Sequence, residues 1–211
     1  MNMVEGIVIQ LQREALDENI DIETLLRKAY LVARKLQLKE FEEWIISEQN
    51  GYNGDIPPYR TVSGEIKAWN PYRGWIPVIF EGEASDMFNR MPVGLPIAAI
   101  SDVYNDSDAS VVFTVPGALT EMLNKSDSIL KTNYSFRSSK AELRKIISAV
   151  RNRILDWSIL LEENGIVGEG LSFTADEVKI AHESQVINNY TNNFYSLADN
   201  TQIQQGGNGN Q

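Results

Sequence analysis

The 211-residue chain contains no cysteine and a single histidine, His182. The lack of cysteine excludes disulfides, thiolate zinc sites and cysteine nucleophiles. No serine or cysteine pattern pairs with His182, so the simpler interpretation is a charge near the end of a helix rather than an acid–base catalyst. No stretch of eighteen apolar residues occurs either, and the first sixteen residues hold only a short apolar cluster. We therefore expect no membrane span and no signal peptide, and a cytoplasmic location.

Positive charge is also scarce. The chain has 19 lysines and arginines against 29 aspartates and glutamates, a formal charge of −10, so its average surface repels phosphate. The exception lies between residues 137 and 155, where Glu142 is the only acid. The cations there are a candidate site for a nucleotide or a nucleic-acid end, although pairing with acids elsewhere is the simpler role. These candidate ligand-binding residues are Arg137, Lys140, Arg144 and Arg151.

Apolar residues at helical spacing open the chain. They predict one helix over residues 3 to 16, a second that begins after the cap residue Asp21, and a continuation past Gln37 to a stop at Gly51. Pro57 and Pro58 then favour extended backbone, and the alternation of residues 61 to 68 predicts a half-buried strand. A helical segment thus gives way to a sheet near residue 57.

The first hairpin is predicted from its turn. Residues 70 to 74 have turn chemistry, Trp69 and Trp75 flank them, and Pro77 restricts the second strand to a sheet edge. All four tryptophans, which include Trp44 and Trp157, are interpreted as buried core residues rather than as the lining of a ligand pocket.

The second half alternates short elements before a long helix. The pattern predicts helices over residues 96 to 103 and 118 to 124, and strands over residues 111 to 115 and 129 to 136. A capping box of Ser139 and Glu142 is expected to begin the long helix, which ends at Asn164, and Thr174 with Glu177 forms a second box. The predicted fold is α+β, with helices flanking a small, mostly antiparallel sheet and an Asn/Gln-rich C-terminal tail.

The composition changes abruptly after residue 183. From residue 185 to 211 the only charge is Asp199, and asparagine and glutamine dominate. We predict a domain over residues 1–182 and a tail over residues 183–211, in which β-forming residues beside amides favour stacking between copies. A flexible tail, or strands that fold back on the domain, are the alternatives. The predicted self-assembly residues are Val186, Ile187, Asn188, Asn189, Tyr190, Gln202, Ile203, Gln204, Gln205 and Gly206.

Two acidic patterns suggest metals but have simpler explanations. Glu65 and Lys67, with Asp55 upstream, have the spacing of a metal-dependent nuclease core, yet alternating charge is also typical of a solvated strand face. The acids between residues 102 and 108 lack the glycine turn and distal glutamate of a calcium loop. No metal site, catalytic residue or cofactor is assigned.

Four separated segments resemble one family. They are L-L-R-K-A-x-x-V-A-R-K-L (residues 25 to 36), W-I-x-S-E-x-N-G-Y (44 to 52) followed by P-x-Y-R (57 to 60), N-P-Y-R-G-W-I-P-V (70 to 78), and V-R-N-R-I-L-D-W through G-I-x-G-E-G (150 to 170). Together they resemble the AbiTii domain, a family assigned to bacterial abortive-infection (anti-phage) loci, over residues 4 to 182. The resemblance implies a defence role, toxin activity included, and supplies no catalytic set.

The preferred hypothesis is a non-enzymatic defence component. It acts through homo-oligomerisation, or by binding a protein encoded by a neighbouring defence gene. The alternatives are a metal-dependent nuclease and a sensor or effector that binds a nucleotide or nucleic acid.

Overall fold

The computed structural model describes residues 5–108, 110–126 and 131–192. Three helices open the fold, α1 (Ile7–Leu16), α2 (Ile22–Leu36) and α3 (Lys39–Asn50), close to the predicted bounds. The Asp21 carboxylate accepts a hydrogen bond from the Thr24 amide and so caps α2. Gln37, in the left-handed conformation with φ 57°, separates α2 from α3, and Gly51 with φ 88° ends α3.

A small antiparallel sheet follows a 3₁₀ turn (Pro58–Arg60). Its strands are β1 (Thr61–Asn70), β2 (Gly74–Pro77), β3 (Arg90–Pro92), β4 (Ser110–Thr114) and β5 (Tyr134–Ser139). The strand order is β2-β1-β5-β4, and β3 pairs with the first residues of β1. Trp69 pairs directly with Trp75 across the β1–β2 hairpin, and β2 is an edge strand, both as predicted.

The remaining helices surround the sheet and the N-terminal helices. They are α4 (Glu83–Phe88), α5 (Ile97–Asn105), α6 (Gly117–Ser126), α7 (Lys140–Glu163), α8 (Ala175–Glu183) and α9 (Gln185–Asn192). The long helix α7 packs against α1, α2 and α5 and also touches β1 and β5, so its apolar stripe forms the centre of the core. The α+β prediction is confirmed.

The Thr174–Glu177 capping box is present as predicted. The Glu177 carboxylate also accepts hydrogen bonds from the amides of Val167 and Gly168, at 3.0 and 2.7 Å. Burial raises the pKa of Glu177, but the bonds from the Thr174, Gly168 and Val167 amides outweigh burial, so the net pKa lies below its usual value. One carboxylate thus fastens the loop after α7 to the start of α8.

The Ser139–Glu142 capping box was a wrong prediction. The Ser139 side chain makes no capping bond, and Glu142 Oε2 instead accepts a hydrogen bond at 2.9 Å from the Ser63 amide of β1. The Glu142 carboxylate, which a capping box would direct at its own helix, thus bonds a strand that is distant in the sequence. The strand predicted from residue 129 begins at Tyr134, and residues 129 and 130 lie outside the described part of the chain.

The first part of the predicted tail is helical. Val186, Ile187, Asn188, Asn189 and Tyr190 belong to α9, which packs on α3 and α7. The helix places Ile187 and Tyr190 on one side, where Ile187 is fully buried and the Tyr190 hydroxyl donates to the Arg153 carbonyl at 3.3 Å. Tertiary packing therefore outweighs the β-propensity of this segment. The other predicted self-assembly residues, Gln202, Ile203, Gln204, Gln205 and Gly206, lie outside the described residues, and their role stays a prediction.

Candidate functional site

One face of the sheet is open to solvent and collects several residues that the sequence singled out. Strand register places Glu65 opposite Arg137, Lys67 opposite Ser135, and Trp69 opposite Trp75. Directly paired residues project to the same side of a sheet, and alternate residues along a strand share that side. These six residues, together with Arg90, are called the sheet face below. The opposite side carries Val62, Ile66 and Phe136 into the core.

The two tryptophans of the sheet face form an aromatic platform. Their rings meet edge to face with centroids 5.4 Å apart, and Trp69 is 44% exposed. The prediction that all four tryptophans are buried is right for Trp44 and Trp157 and wrong for Trp69, and Trp75 is half-buried. The hairpin turn beside the platform presents Tyr72, which is 96% exposed. A large apolar surface exposed in this way is typical of a binding site.

Cations border this platform. The Arg137 guanidinium carbon lies 5.7 Å from the centroid of the Trp75 ring, within range of a cation–π interaction. Arg90 stands opposite Ser63 and is exposed on the same side. Lys67 forms an ion pair at 2.8 Å with Glu65, the one acid among the seven residues of the face. Three cations against one acid make this face attract anions, unlike the average surface of a chain with charge −10.

Two buried polar atoms of the sheet face have no hydrogen-bond partner among the described residues. They are Nε of Arg137 and Oγ of Ser135, the residue opposite Lys67, and Ser135 is 5% exposed. Buried donors of this kind are costly unless a water or a ligand satisfies them.

The other predicted cations do not join Arg137. Lys140 bonds the Asp106 carbonyl, whereas Arg144 and Arg151 line a cavity of about 470 Å³ between the α1–α2 loop, α5 and α7. Arg151 donates to the carbonyls of Glu14, Asp17 and Ile20 at 3.1, 3.0 and 2.6 Å, so it fastens the α1–α2 loop to α7. The single flank expected from the sequence is thus divided between two sides of the molecule.

The cavity that holds Arg144 and Arg151 is balanced in charge. Glu18 and Asp21 also line it, and Arg144 lies 3.6 Å from the Glu18 carboxylate. Desolvation lowers the pKa of Arg151, and the acids Glu18, Asp17 and Asp21 oppose that shift. An anionic ligand would have to displace these carboxylates, so the geometry favours a structural role for both arginines.

The nuclease pattern is not assembled. Glu65 is paired with Lys67, and Asp55 is exposed in the loop that precedes the 3₁₀ turn. Across residues 5–108, 110–126 and 131–192, no three histidine, aspartate or glutamate side chains converge to hold a metal ion. His182 is exposed on the last turn of α8.

A buried ionic network, which the sequence analysis missed, joins α3 to the 3₁₀ turn that precedes β1. The side chains of Glu48 and Arg60 are 0% exposed and form an ion pair at 2.6 Å. Arg60 also donates to the carbonyls of Val93, at 3.0 Å, and Leu95. Both charges are buried in one pair, and the other two guanidinium nitrogens each donate to a carbonyl, an arrangement that limits the desolvation cost.

Two tyrosines complete this network. The hydroxyls of Tyr59 and Tyr52 donate to Glu48 Oε1 at 2.5 and 2.7 Å, and the Trp44 indole donates to the Tyr59 hydroxyl at 2.9 Å. Burial, together with the nearby Glu48 carboxylate, raises the pKa of both tyrosines above the usual value, so both hydroxyls stay protonated donors. The Arg153 guanidinium carbon lies 3.6 Å from the centroid of the Tyr59 ring.

A signal for this network exists in the sequence. Glu48 follows Trp44 by four residues and Ile45 by three, so it lies on the apolar side of α3, where an unpaired carboxylate would be costly. Two of the four segments that resemble the AbiTii domain supply the network. The second contributes Trp44, Glu48 and Tyr52, with Tyr59 and Arg60 from its P-x-Y-R extension, and the last contributes Arg153. These segments meet in the buried interior of the fold.

The fold and the site together define an α+β protein whose candidate binding surface is an open, cationic sheet face. The AbiTii family model matches residues 6–186, and the chain belongs to the AbiTii family. The family name denotes abortive infection, a form of anti-phage defence. No curated protein and no solved structure matches the chain. Among the helices of the described ranges, none has the length and apolar character needed to cross a membrane.

Proposed function

We propose that this AbiTii-family chain is a recognition component of phage defence that binds single-stranded nucleic acid on the sheet face. The observation that supports the proposal is the row formed by Trp69, Trp75 and Arg137, with Lys67 beside it, on the open side of the sheet. The action is binding rather than catalysis. The defence context comes from the family, and the ligand class comes from the surface chemistry.

Single strands are bound by aromatic side chains that stack on bases and by cations that follow the phosphate backbone. Trp69 offers an exposed ring for stacking, and Tyr72 extends the aromatic surface at the hairpin turn. Lys67, Arg90 and Arg137 lie within the same three-strand area and are suited to contact phosphates. A duplex keeps its bases stacked internally and gains only the phosphate contacts, so it is expected to bind more weakly.

The sheet face suits this ligand better than the cavity of Arg144 and Arg151 suits a nucleotide. In the cavity, acids match the arginines, and three carbonyls already accept from Arg151. On the sheet face, cations exceed acids, and aromatic surface lies beside them. Stacking and charge are therefore available together on the sheet face.

The test measures binding of a labelled oligonucleotide of about 20 nucleotides by fluorescence anisotropy, as single-stranded RNA, single-stranded DNA and duplex, at about 50 and 200 mM salt. Trp69→Ala is expected to weaken single-strand binding about 5- to 150-fold, because stacking of one base is worth about 1–3 kcal/mol. The backbone bonds of Trp69 survive the substitution, and near-UV circular dichroism checks the fold.

A charge variant separates phosphate contacts from stacking. Lys67→Gln should reduce the slope of log affinity against log salt by about 0.7, and the matched change Lys179→Gln on α8 should leave it unchanged. The proposal fails if no single strand binds at the lower salt, or if Trp69→Ala and Lys67→Gln bind as the unmodified chain does.

A further inference from the structure

The outer edge of strand β4 is open. One side of β4 pairs with β5 over its whole length, from Ser110 opposite Ser139 to Thr114 opposite Ser135. On the other side, no backbone group of residues 110 to 114 has a hydrogen-bond partner within the described parts of the chain. An unpaired strand edge is a template for another strand, and most proteins protect it with charge, proline or a covering element.

The two edges of this sheet differ in that protection. The opposite edge strand, β2, is four residues long and ends in Pro77, which cannot donate to a new ladder. Strand β4 reads Ser-Val-Val-Phe-Thr, has neither charge nor proline, and presents Val112 with 56% of its surface exposed. A shallow groove of about 300 Å³ runs beside it, lined by apolar residues that include Leu95, Val103 and Phe113, with Asp106 and Asp108 also in its lining. The exposed edge thus combines unsatisfied backbone with uncovered apolar side chains.

We propose that two copies of this chain associate through antiparallel pairing of their β4 strands, about a two-fold axis that passes through Val112. In that register Val112 meets its own counterpart, Ser110 meets Thr114, and Val111 meets Phe113 of the other copy. Every residue in these pairs is uncharged, and all except Ser110 have high β-propensity. The outward-facing donors and acceptors of one strand match those of the other, because an antiparallel pair centred on one residue is self-complementary.

Charge favours this edge over the rest of the surface for contact with a second copy. Two chains of charge −10 repel each other on average, and residues 110 to 116 form a continuous uncharged stretch. Asp108, the nearest described acid, would face Pro116 of the other copy and not another acid. The Arg137 residues of the two copies would lie three strand spacings apart, about 14 Å, which exceeds the Debye length of about 10 Å at 0.1 M salt. This inference does not depend on nucleic-acid binding.

The test measures the mass of the full chain by light scattering and by sedimentation, without nucleic acid. The unmodified chain is expected at twice its 23.8 kDa mass, and both Val112→Lys and Val112→Glu at the monomer mass. Each variant places two like charges directly opposite at the axis, which destabilises a strand pair. Val112 is exposed, so neither change disturbs the core. Leu171→Lys is the matched control, since Leu171 is also 56% exposed but lies far along the chain from the edge, and it should remain dimeric.

Mixing the two charged variants tests the register. An equimolar mixture of Val112→Lys and Val112→Glu should restore the dimer, because lysine then faces glutamate across the axis. The proposal is overturned if the unmodified chain is monomeric at micromolar concentration, or if Val112→Lys keeps the mass of the unmodified chain. It is equally overturned if the mixture stays monomeric, since another pairing would not bring residue 112 against itself.

Discussion

Removal of either partner of the buried Glu48–Arg60 ion pair should destabilise the protein strongly, and removal of both should cost well below the sum of the two single changes. Arg60→Met leaves the Glu48 carboxylate, which is 0% exposed, without its counter-charge. Glu48→Gln likewise leaves the buried Arg60 guanidinium without a counter-charge. The loss of one partner from a fully buried pair costs about 3–5 kcal/mol of the free energy of unfolding. Arg60→Met adds the loss of two carbonyl partners, Val93 and Leu95, at about 1 kcal/mol each.

The double variant Glu48→Gln, Arg60→Met has no isolated charge. Its cost is therefore expected to be less than the sum of the two single changes by at least about 2 kcal/mol. The measurement is urea unfolding followed by tryptophan fluorescence, because Trp44 and Trp157 are fully buried reporters of the core. Trp44 donates to Tyr59 within the network, so its emission also reports local loosening.

The matched control is the same pair of changes on the surface. Arg27 and Glu23 on α2 form an ion pair at 2.5 Å, with side chains 66% and 39% exposed. The cycle of Arg27→Met and Glu23→Gln should give a coupling of only about 0.5 kcal/mol, because solvent screens an exposed helical pair. If the Glu48 and Arg60 changes are additive within about 0.5 kcal/mol, the buried ion pair is not the interaction that joins α3 to the 3₁₀ turn before β1.

Three further predictions follow from single contacts. Glu177→Gln should lower the free energy of unfolding by about 1 kcal/mol at neutral pH. Because hydrogen bonding lowers the pKa of Glu177 in the folded state from 4.5, the difference in thermal stability from the unmodified chain should be full above about pH 5 and should disappear as the pH falls through the folded-state pKa. A difference that does not change with pH would contradict this. Arg151→Met should lower the free energy of unfolding in urea by about 2 kcal/mol, since three carbonyls lose a charged donor. Arg144→Met should lower it by less than about 0.5 kcal/mol, and equal effects of the two changes would refute the structural role of Arg151. Gly64→Ala should lower the free energy of unfolding by about 1–3 kcal/mol, because the added Cβ would lie 2.3 Å from a backbone carbonyl oxygen of β5. Gly117→Ala adds a Cβ in open space and should be neutral in the same assay, and a neutral Gly64→Ala would show that the sheet adjusts freely at this position.

Local signals predicted the elements of this fold well. Asp21 caps α2, Gly51 ends α3, and Thr174 with Glu177 starts α8, each where the sequence indicated. The Trp69–Trp75 hairpin and its edge strand with Pro77 also stand where expected. These features depend on residues within a few positions of one another, so backbone preference and short-range hydrogen bonds suffice to specify them.

The candidate site was predicted only in pieces. Glu65, Lys67, Arg137, Trp69 and Trp75 were each noted for a different reason, as part of a nuclease pattern, a basic flank and a core. The pairing of β1 with β5 and with β2 places them on one face. The β1–β5 pairing joins residues that are about seventy positions apart in the sequence. The same register leaves β4 with an open edge, a property of the assembled sheet that no stretch of sequence displays.

The sequence by itself determined the helix ends, the first hairpin, the α+β class and membership of the AbiTii family, because each rests on short-range pattern or on segments compared one at a time. Only the tertiary structure decided which charges meet. In the tertiary structure Glu48 is buried in an ion pair with Arg60, and Glu142 accepts a hydrogen bond from the Ser63 amide instead of capping its own helix. Arg137 and Arg151 lie at separate sites. Charge pairing depends on distances through space that chain position does not fix, and burial then makes those pairings strong.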